Sequence, residues 1–173
     1  GESVYKQDVT PGTSYRYRPP AFLKFEHPAL QAKFAEILAS EFVVKPDGSI
    51  AMPPALNAKI TMGASTYSMG IGGLHSVEKQ VGHVATPTVL LRDVDVVSFY
   101  PALILQCGLF PRNMGEHFQK VYLEFFKRRV AAKKAGHKST ALTLKIVLNG
   151  TFGKLGSRWS VLYSPDLLIQ VTV

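Results

Sequence analysis

Residues 90–110, LLRDVDVVSFYPALILQCGLF, run a β-branched apolar stretch carrying two acids straight into an abrupt proline turn. Residues 89–97 are rich in valine and read as a largely buried strand. Pro101 has a fixed φ and no N–H, which suits the first turn of a helix, and Gly108 suits its end. Asp95 is then expected to leave the end of a buried strand, with unbonded backbone N–H groups following at the helix start. A hard dication takes oxygen ligands and an anion takes N–H donors, so this pairing suits Mg²⁺ and a phosphate chain. Asp93 shares the face of Asp95 by strand alternation and is expected at an edge or surface position.

Charge is placed unevenly around that stretch. The chain carries a net +8, yet residues 112–158 alone hold 11 Lys and Arg against two acids, Glu116 and Glu124. The remainder is therefore close to neutral, and a cationic excess so concentrated suits a phosphate-backbone partner. Within it, residues 113–134 read as one helix, with Phe118, Val121, Tyr122 and Phe125 along one side. Gly136 ends that helix, and Ser139 or Thr140 is expected to cap a second one reaching to about Phe152. So short a loop makes the two helices antiparallel neighbours. Arg129 and Lys133 stand four apart on the first, Lys145 and Asn149 four apart on the second, so each pair shares a helix face. Leu144, Val147, Leu148 and Thr151 are expected to turn toward the core.

The rest of the chain is quieter. Residues 1–20 show no sustained period and read as irregular. Residues 27–42 place Leu30, Phe34, Ile37, Leu38 and Phe42 at helical spacing, and a hairpin is expected across Pro46-Asp47-Gly48. Residues 59–69 read as strands feeding a glycine loop at 70–73, and Pro165 opens a last helix. An apolar content of 46% over 173 residues is that of a folded chain with a sizeable core. No apolar run approaches the length of a membrane span, so no membrane partner is expected. The single cysteine, Cys107, excludes an internal disulfide and a zinc ribbon, and fits a reducing, cytoplasmic compartment.

Three of these segments resemble family B DNA polymerases. Asp95-Val96-Val97-Ser98-Phe99-Tyr100-Pro101 resembles that family's motif A, D-x-x-S-L-Y-P. Lys145-Ile146-Val147-Leu148-Asn149-Gly150-Thr151-Phe152-Gly153 resembles motif B, K-x-x-x-N-S-x-Y-G, and residues 70–73 stand where the family has a Y-x-G-G/A loop. GIGGLHS and LKIVLNGTFGKLGS are similar to phage and viral members in particular.

The resemblance implies an α/β (α+β) fold: part of a palm sheet with an antiparallel helical fingers hairpin. Residues 1–58 would be an N-terminal segment packed on the palm, 59–111 palm, 112–156 fingers, and 157–173 a return to the palm. It implies template-directed transfer from dNTPs to a primer 3′-OH, with primer–template DNA as partner and a two-metal Mg²⁺ site. Asp95 would be catalytic and a metal ligand together with Val96. Ser98, Phe99, Tyr100, Arg129, Lys133, Lys145 and Asn149 would bind the dNTP, the Tyr100 ring lying under the sugar where a 2′-OH would clash. Gly72, Gly73, Phe152 and Gly153 would meet DNA.

The family's second catalytic carboxylate lies in motif C, Y-x-D-T-D-S, and after Gly153 this sequence holds only one acid, Asp166. The chain is therefore expected to need the remainder of a polymerase (exonuclease, rest of palm, thumb) and to be inactive alone. The alternative is a non-catalytic palm–fingers module that holds DNA. Protein-primed members carry an insertion between motifs A and B, and the two expected helices use nearly all of the 50 residues from Asp95 to Lys145, so that subgroup is disfavoured. The sequence departs from the family pattern at Gly70 (tyrosine), Phe99 (leucine), Gly150 (serine) and Phe152 (tyrosine).

Overall fold

The computed structural model describes residues 7–70, 72–80 and 82–173. Its first elements are strand β1 (Ser14–Tyr15), helix α1 (Pro28–Ala39) and strand β2 (Phe42–Val43). The start of α1 follows from its sequence: His27 Nδ1 accepts the Ala29 N–H and Pro28 fills the first turn. Its buried residue, Ile37, packs with Tyr17, Phe42, Leu56 and Ile169.

The hairpin expected at 42–52 is reduced to a bridged turn. Val44 faces Ile50, and the Lys45 N–H donates to Ser49. The other edge of β2 is thereby left open, and β1 fills it in antiparallel register, Ser14 opposite Val43. Ser14 and Tyr15 are thus a strand within a stretch whose sequence reads as irregular; residues 1–6 lie outside the described residues.

Strands β3 (Ala58–Met62), β4 (Ser65–Gly70) and β5 (Gly73–Ser76) form an antiparallel meander in that order. Gly70 pairs with Gly73 across the turn; Ile71, also part of the expected loop, lies outside the described residues. Gly72 and Gly73 have φ of +118° and +109°, which L side chains rarely adopt, while among the described residues, chain neighbours aside, no atom lies within 4 Å of where a Cβ would stand. Backbone conformation, not crowding, requires glycine there.

Glu78 ties the meander's far end. Its carboxylate accepts the Thr66 N–H and the Ser76 hydroxyl, and the bond from Thr66 chiefly holds its pKa below the ordinary glutamate value. A carboxylate depressed in the folded state stabilises it above the unfolded pKa, and that contribution is lost as pH falls through the folded value. The Thr66 amide proton shift should accordingly titrate with a midpoint below that of an unstructured glutamate. Glu78→Gln should abolish that titration.

Residues 89–97 are not a strand, contrary to the sequence expectation. Thr86 and Val89 exchange both backbone bonds in a tight bridge, and residues 90–97 are exposed, Val94 to 84%. An extended segment persists as a strand only when a neighbour takes its N–H and C=O groups, and among the described residues no strand pairs with it. Asp95 therefore stands in an exposed segment without regular structure, not at the end of a buried strand.

Helices α2 (Phe99–Gln106), α3 (His117–Lys134), α4 (Lys138–Gly153) and α5 (Pro165–Thr172) complete the chain. α3 and α4 are antiparallel. Near their open end the Tyr122 hydroxyl donates to the Leu148 carbonyl at 3.0 Å, and at the closed end the His137 N–H returns to Ala132. The second helix begins two or three residues earlier than expected, with His137 and not Ser139 or Thr140 as its N-cap. Gly136, at φ +74°, turns the chain so tightly that the Ala141 N–H already bonds back to His137.

α3 begins at His117 and not at 113, because residues 111–115 close a separate turn in which the Met114 N–H donates to Pro111. Val121 and Val147, expected against the core, are 56% and 39% exposed. Phe118 with Tyr122, and Leu144 with Leu148, are the four-apart pairs that turn inward; each valine lies about 100° round its helix from its buried neighbour.

Ile104, Phe118, Tyr122, Leu148, Leu155, Leu167 and Val171 form the main core. α5 serves both cores, sending Leu167 and Val171 into this one and Ile169 into that of the N-terminal unit. The Gln119 amide fixes α3 to the end of α2 by donating to the Ile104 and Leu109 carbonyls. With two small antiparallel sheets beside the helices, the fold is α+β. No described helix is long and apolar enough to cross a membrane.

Candidate functional site

The turn into α2 is the most constrained piece of backbone near the sequence motifs. Ser98 has φ +56° and ψ +55°, a left-handed conformation costing a non-glycine residue about 1–2 kcal/mol. Its hydroxyl oxygen is buried and has no hydrogen-bond partner among the described residues. Strain of this kind persists only where the surroundings over-determine it. Immediately after it, the N–H groups of Phe99 and Tyr100 have no acceptor among the described residues, and Pro101 contributes none.

Tyr100 draws three sequence-distant segments together. Its ring stacks on Phe152 with centroids 4.2 Å apart and planes 10° off parallel, and Phe99 tilts against it at 5.7 Å. Its hydroxyl donates to the Gly72 carbonyl at 3.5 Å, a long bond, and the Gly72 N–H reaches the Thr172 carbonyl at 3.4 Å. The glycine turn, the proline turn and the end of α4 thus meet at one aromatic pair, with Gly73 beside it on β5 and exposed Gly153 closing α4.

A second feature lies farther along α4. Arg129, Lys133, Lys138 and Lys145 line a concavity of about 260 Å³ with Gly136, Ala141 and Leu142. No carboxylate lines it, and among the described residues none of the four cations is in an ion pair. The antiparallel hairpin explains the grouping: Arg129 and Lys133 sit one turn apart on α3, Lys138 and Lys145 two turns apart on α4.

Lys138 is absent from the sequence expectation. The signal for it is its spacing of seven from Lys145, and its place in the first turn of α4 adds the helix dipole to its charge. Asn149 is exposed one turn past Lys145 and does not line the concavity.

Lys138, Lys145 and Phe152 recur every seven residues, so they descend one side of α4 in steps of about 10.5 Å. A cationic end and an aromatic end are therefore joined along one helix.

Asp95 and Val96 are exposed, and the Asp95 carboxylate has no hydrogen-bond or ion-pair partner among the described residues. Mg²⁺ is held by one or two carboxylates with substrate phosphates and waters. Among the described residues no group of three or more His, Cys, Asp or Glu is placed to hold a metal. Asp95 with the Val96 backbone would supply only part of a two-metal site, which needs a further carboxylate to clamp both ions. Asp166, the one late acid, is engaged elsewhere: it pairs with Arg18 at 2.8 Å beside a separate cleft of about 490 Å³.

Comparison with protein-family models, with curated proteins and with solved structures returned no match.

Proposed function

We propose that the chain is the palm and fingers part of a family B DNA polymerase of the phage and viral kind. It would work in template-directed transfer of deoxynucleotides to a primer 3′-OH. One observation carries the reading: α4 joins an aromatic pair, Phe152 on Tyr100, to a concavity of four cations, none ion-paired among the described residues, about 10.5–21 Å away. A nucleoside triphosphate has the same polarity, a flat, weakly polar end and a polyanionic end. Cations without carboxylate neighbours favour the second, and an aromatic ring supports the first.

In this proposal Arg129, Lys133 and Lys145 hold the phosphates, with Lys138 added. Ser98, Phe99 and the N–H groups at the start of α2 would contribute to triphosphate binding from the aromatic end, Asn149 lies on the flank, and Tyr100 backs the sugar. Gly72, Gly73, Phe152 and Gly153 lie toward the primer–template. Asp95, with the Val96 backbone, would contribute to Mg²⁺ binding, and the second carboxylate would come from a motif C segment outside these 173 residues. That segment would also bring the neighbouring strands that residues 89–97 lack among the described residues.

Nucleotide binding by the chain tests the proposal. A fluorescent dATP analogue should bind, inorganic tripolyphosphate should compete, and the Arg129→Ala/Lys133→Ala/Lys145→Ala variant should bind at least about tenfold more weakly. Charge-assisted bonds are worth roughly 1.5–3 kcal/mol each, discounted here because the cations face solvent. Unchanged affinity in the variant would remove the phosphate assignment.

A further inference from the structure

The same hairpin has a second cationic surface, turned the other way. Lys120, Lys127 and Lys134 recur every seven residues on α3, drift only about 20° per step, and stand about 10.5 Å apart. All three are exposed, and among the described residues none is in an ion pair. They lie roughly 120–160° around the helix from Tyr122, which is buried against α4, whereas Arg129 and Lys133 lie on the α4 side. Between Lys127 and Lys134 the surface dips into a shallow depression of about 270 Å³, floored by Phe126, Val130 and Ala131. No acid lines it, and the only carboxylate on α3, Glu124, makes no ion pair among the described residues.

We infer that this outer face of α3 is a docking track for single-stranded nucleic acid, distinct from the phosphate-binding concavity. The charge selects a polyanion, and lysines serve as mobile point charges for phosphates in varying positions. The apolar floor selects further. An unpaired strand can lay the face of a base on Phe126 and Val130 while its flanking phosphates reach Lys127 and Lys134. A duplex keeps its base faces stacked inside and offers only edges and phosphates, so the floor would go unused. The track stands whether or not the concavity binds nucleotide, because the two surfaces share no residue.

The test is fluorescence anisotropy of the 173-residue chain with labelled oligo(dT), and with a duplex of equal length, across a range of salt. The chain should prefer the single strand. Lys127→Gln/Lys134→Gln should lower its affinity about tenfold and flatten the slope of log affinity against log salt by roughly 1.4, about 0.7 for each phosphate no longer neutralised. Ala131→Glu, an exposed and helix-compatible change that removes no cation, should weaken oligo(dT) binding similarly. All variants should keep native helicity and the native affinity for the dATP analogue. Oligo(dT) binding that disappears in the variants while no form of the chain binds nucleotide would still support the track and would sink only the nucleotide reading. Native affinity and slope in both variants would overturn the track. So would a duplex that binds as tightly and weakens as much.

Discussion

Leu148→Ala should destabilise the chain by about 2–5 kcal/mol, toward the upper end of that range. The side chain is completely buried where α2, α3 and α5 converge on α4, among Ile104, Phe118, Tyr122, Leu155, Leu167 and Val171. Three helices pinned by other packing cannot easily close on the space that truncation leaves, so the cavity cost adds to the forfeited transfer free energy. The Leu148 carbonyl would still accept the Tyr122 hydroxyl, which burial keeps protonated well beyond neutral pH, so that hydrogen bond is not part of the loss. Against a total stability of roughly 5–15 kcal/mol, the variant would sit near the edge of folding. Urea unfolding should show a lower midpoint with an unchanged m-value, whereas Ile146→Ala, two residues away and 64% exposed, should stay within about 0.5 kcal/mol of native. Nucleotide affinity should fall with stability in Leu148→Ala, since α4 carries both Lys145 and Phe152.

The elements legible in the sequence were those whose signals are local. α1, α3 and α4 follow from apolar residues three and four apart, and α2 and α5 from prolines near their first turns. Pairing partners were not legible. The valines of residues 89–97 encode a strand, but a strand is a relation between two segments, and only the fold shows that none of the described ones lies beside it. The same limit hid β1, whose two residues become a strand because the turn after β2 leaves an edge free.

At the candidate site, Arg129, Lys133 and Lys145 were legible from i,i+4 spacing and the resemblance to known motifs. Lys138 was not, because a lysine at a helix start looks like ordinary solubility until the antiparallel partner is in place. The meeting of Tyr100 with Gly72 and Phe152 joins residues 28 and 52 positions away, which no periodicity encodes.

Primer extension is the measurement in which the largest effect is expected. One exposed carboxylate at Asp95 would hold Mg²⁺ loosely, and in-line transfer needs ions clamping both the attacking and the leaving oxygens. Misplacing the primer hydroxyl by even ~1 Å costs about 10²-fold, so without a second carboxylate the rate should be undetectable. The 173-residue chain with Mg²⁺ or Mn²⁺, primed template and all four dNTPs should therefore stay at background. Joined to a segment carrying the Y-x-D-T-D-S motif it should extend the primer, and Asp95→Asn in that completed protein should return it to background. A completed protein that binds primed DNA yet never extends it would instead mark a non-catalytic DNA-holding module. Extension by the bare chain, undiminished by Asp95→Asn, would contradict the assignment of the catalytic centre.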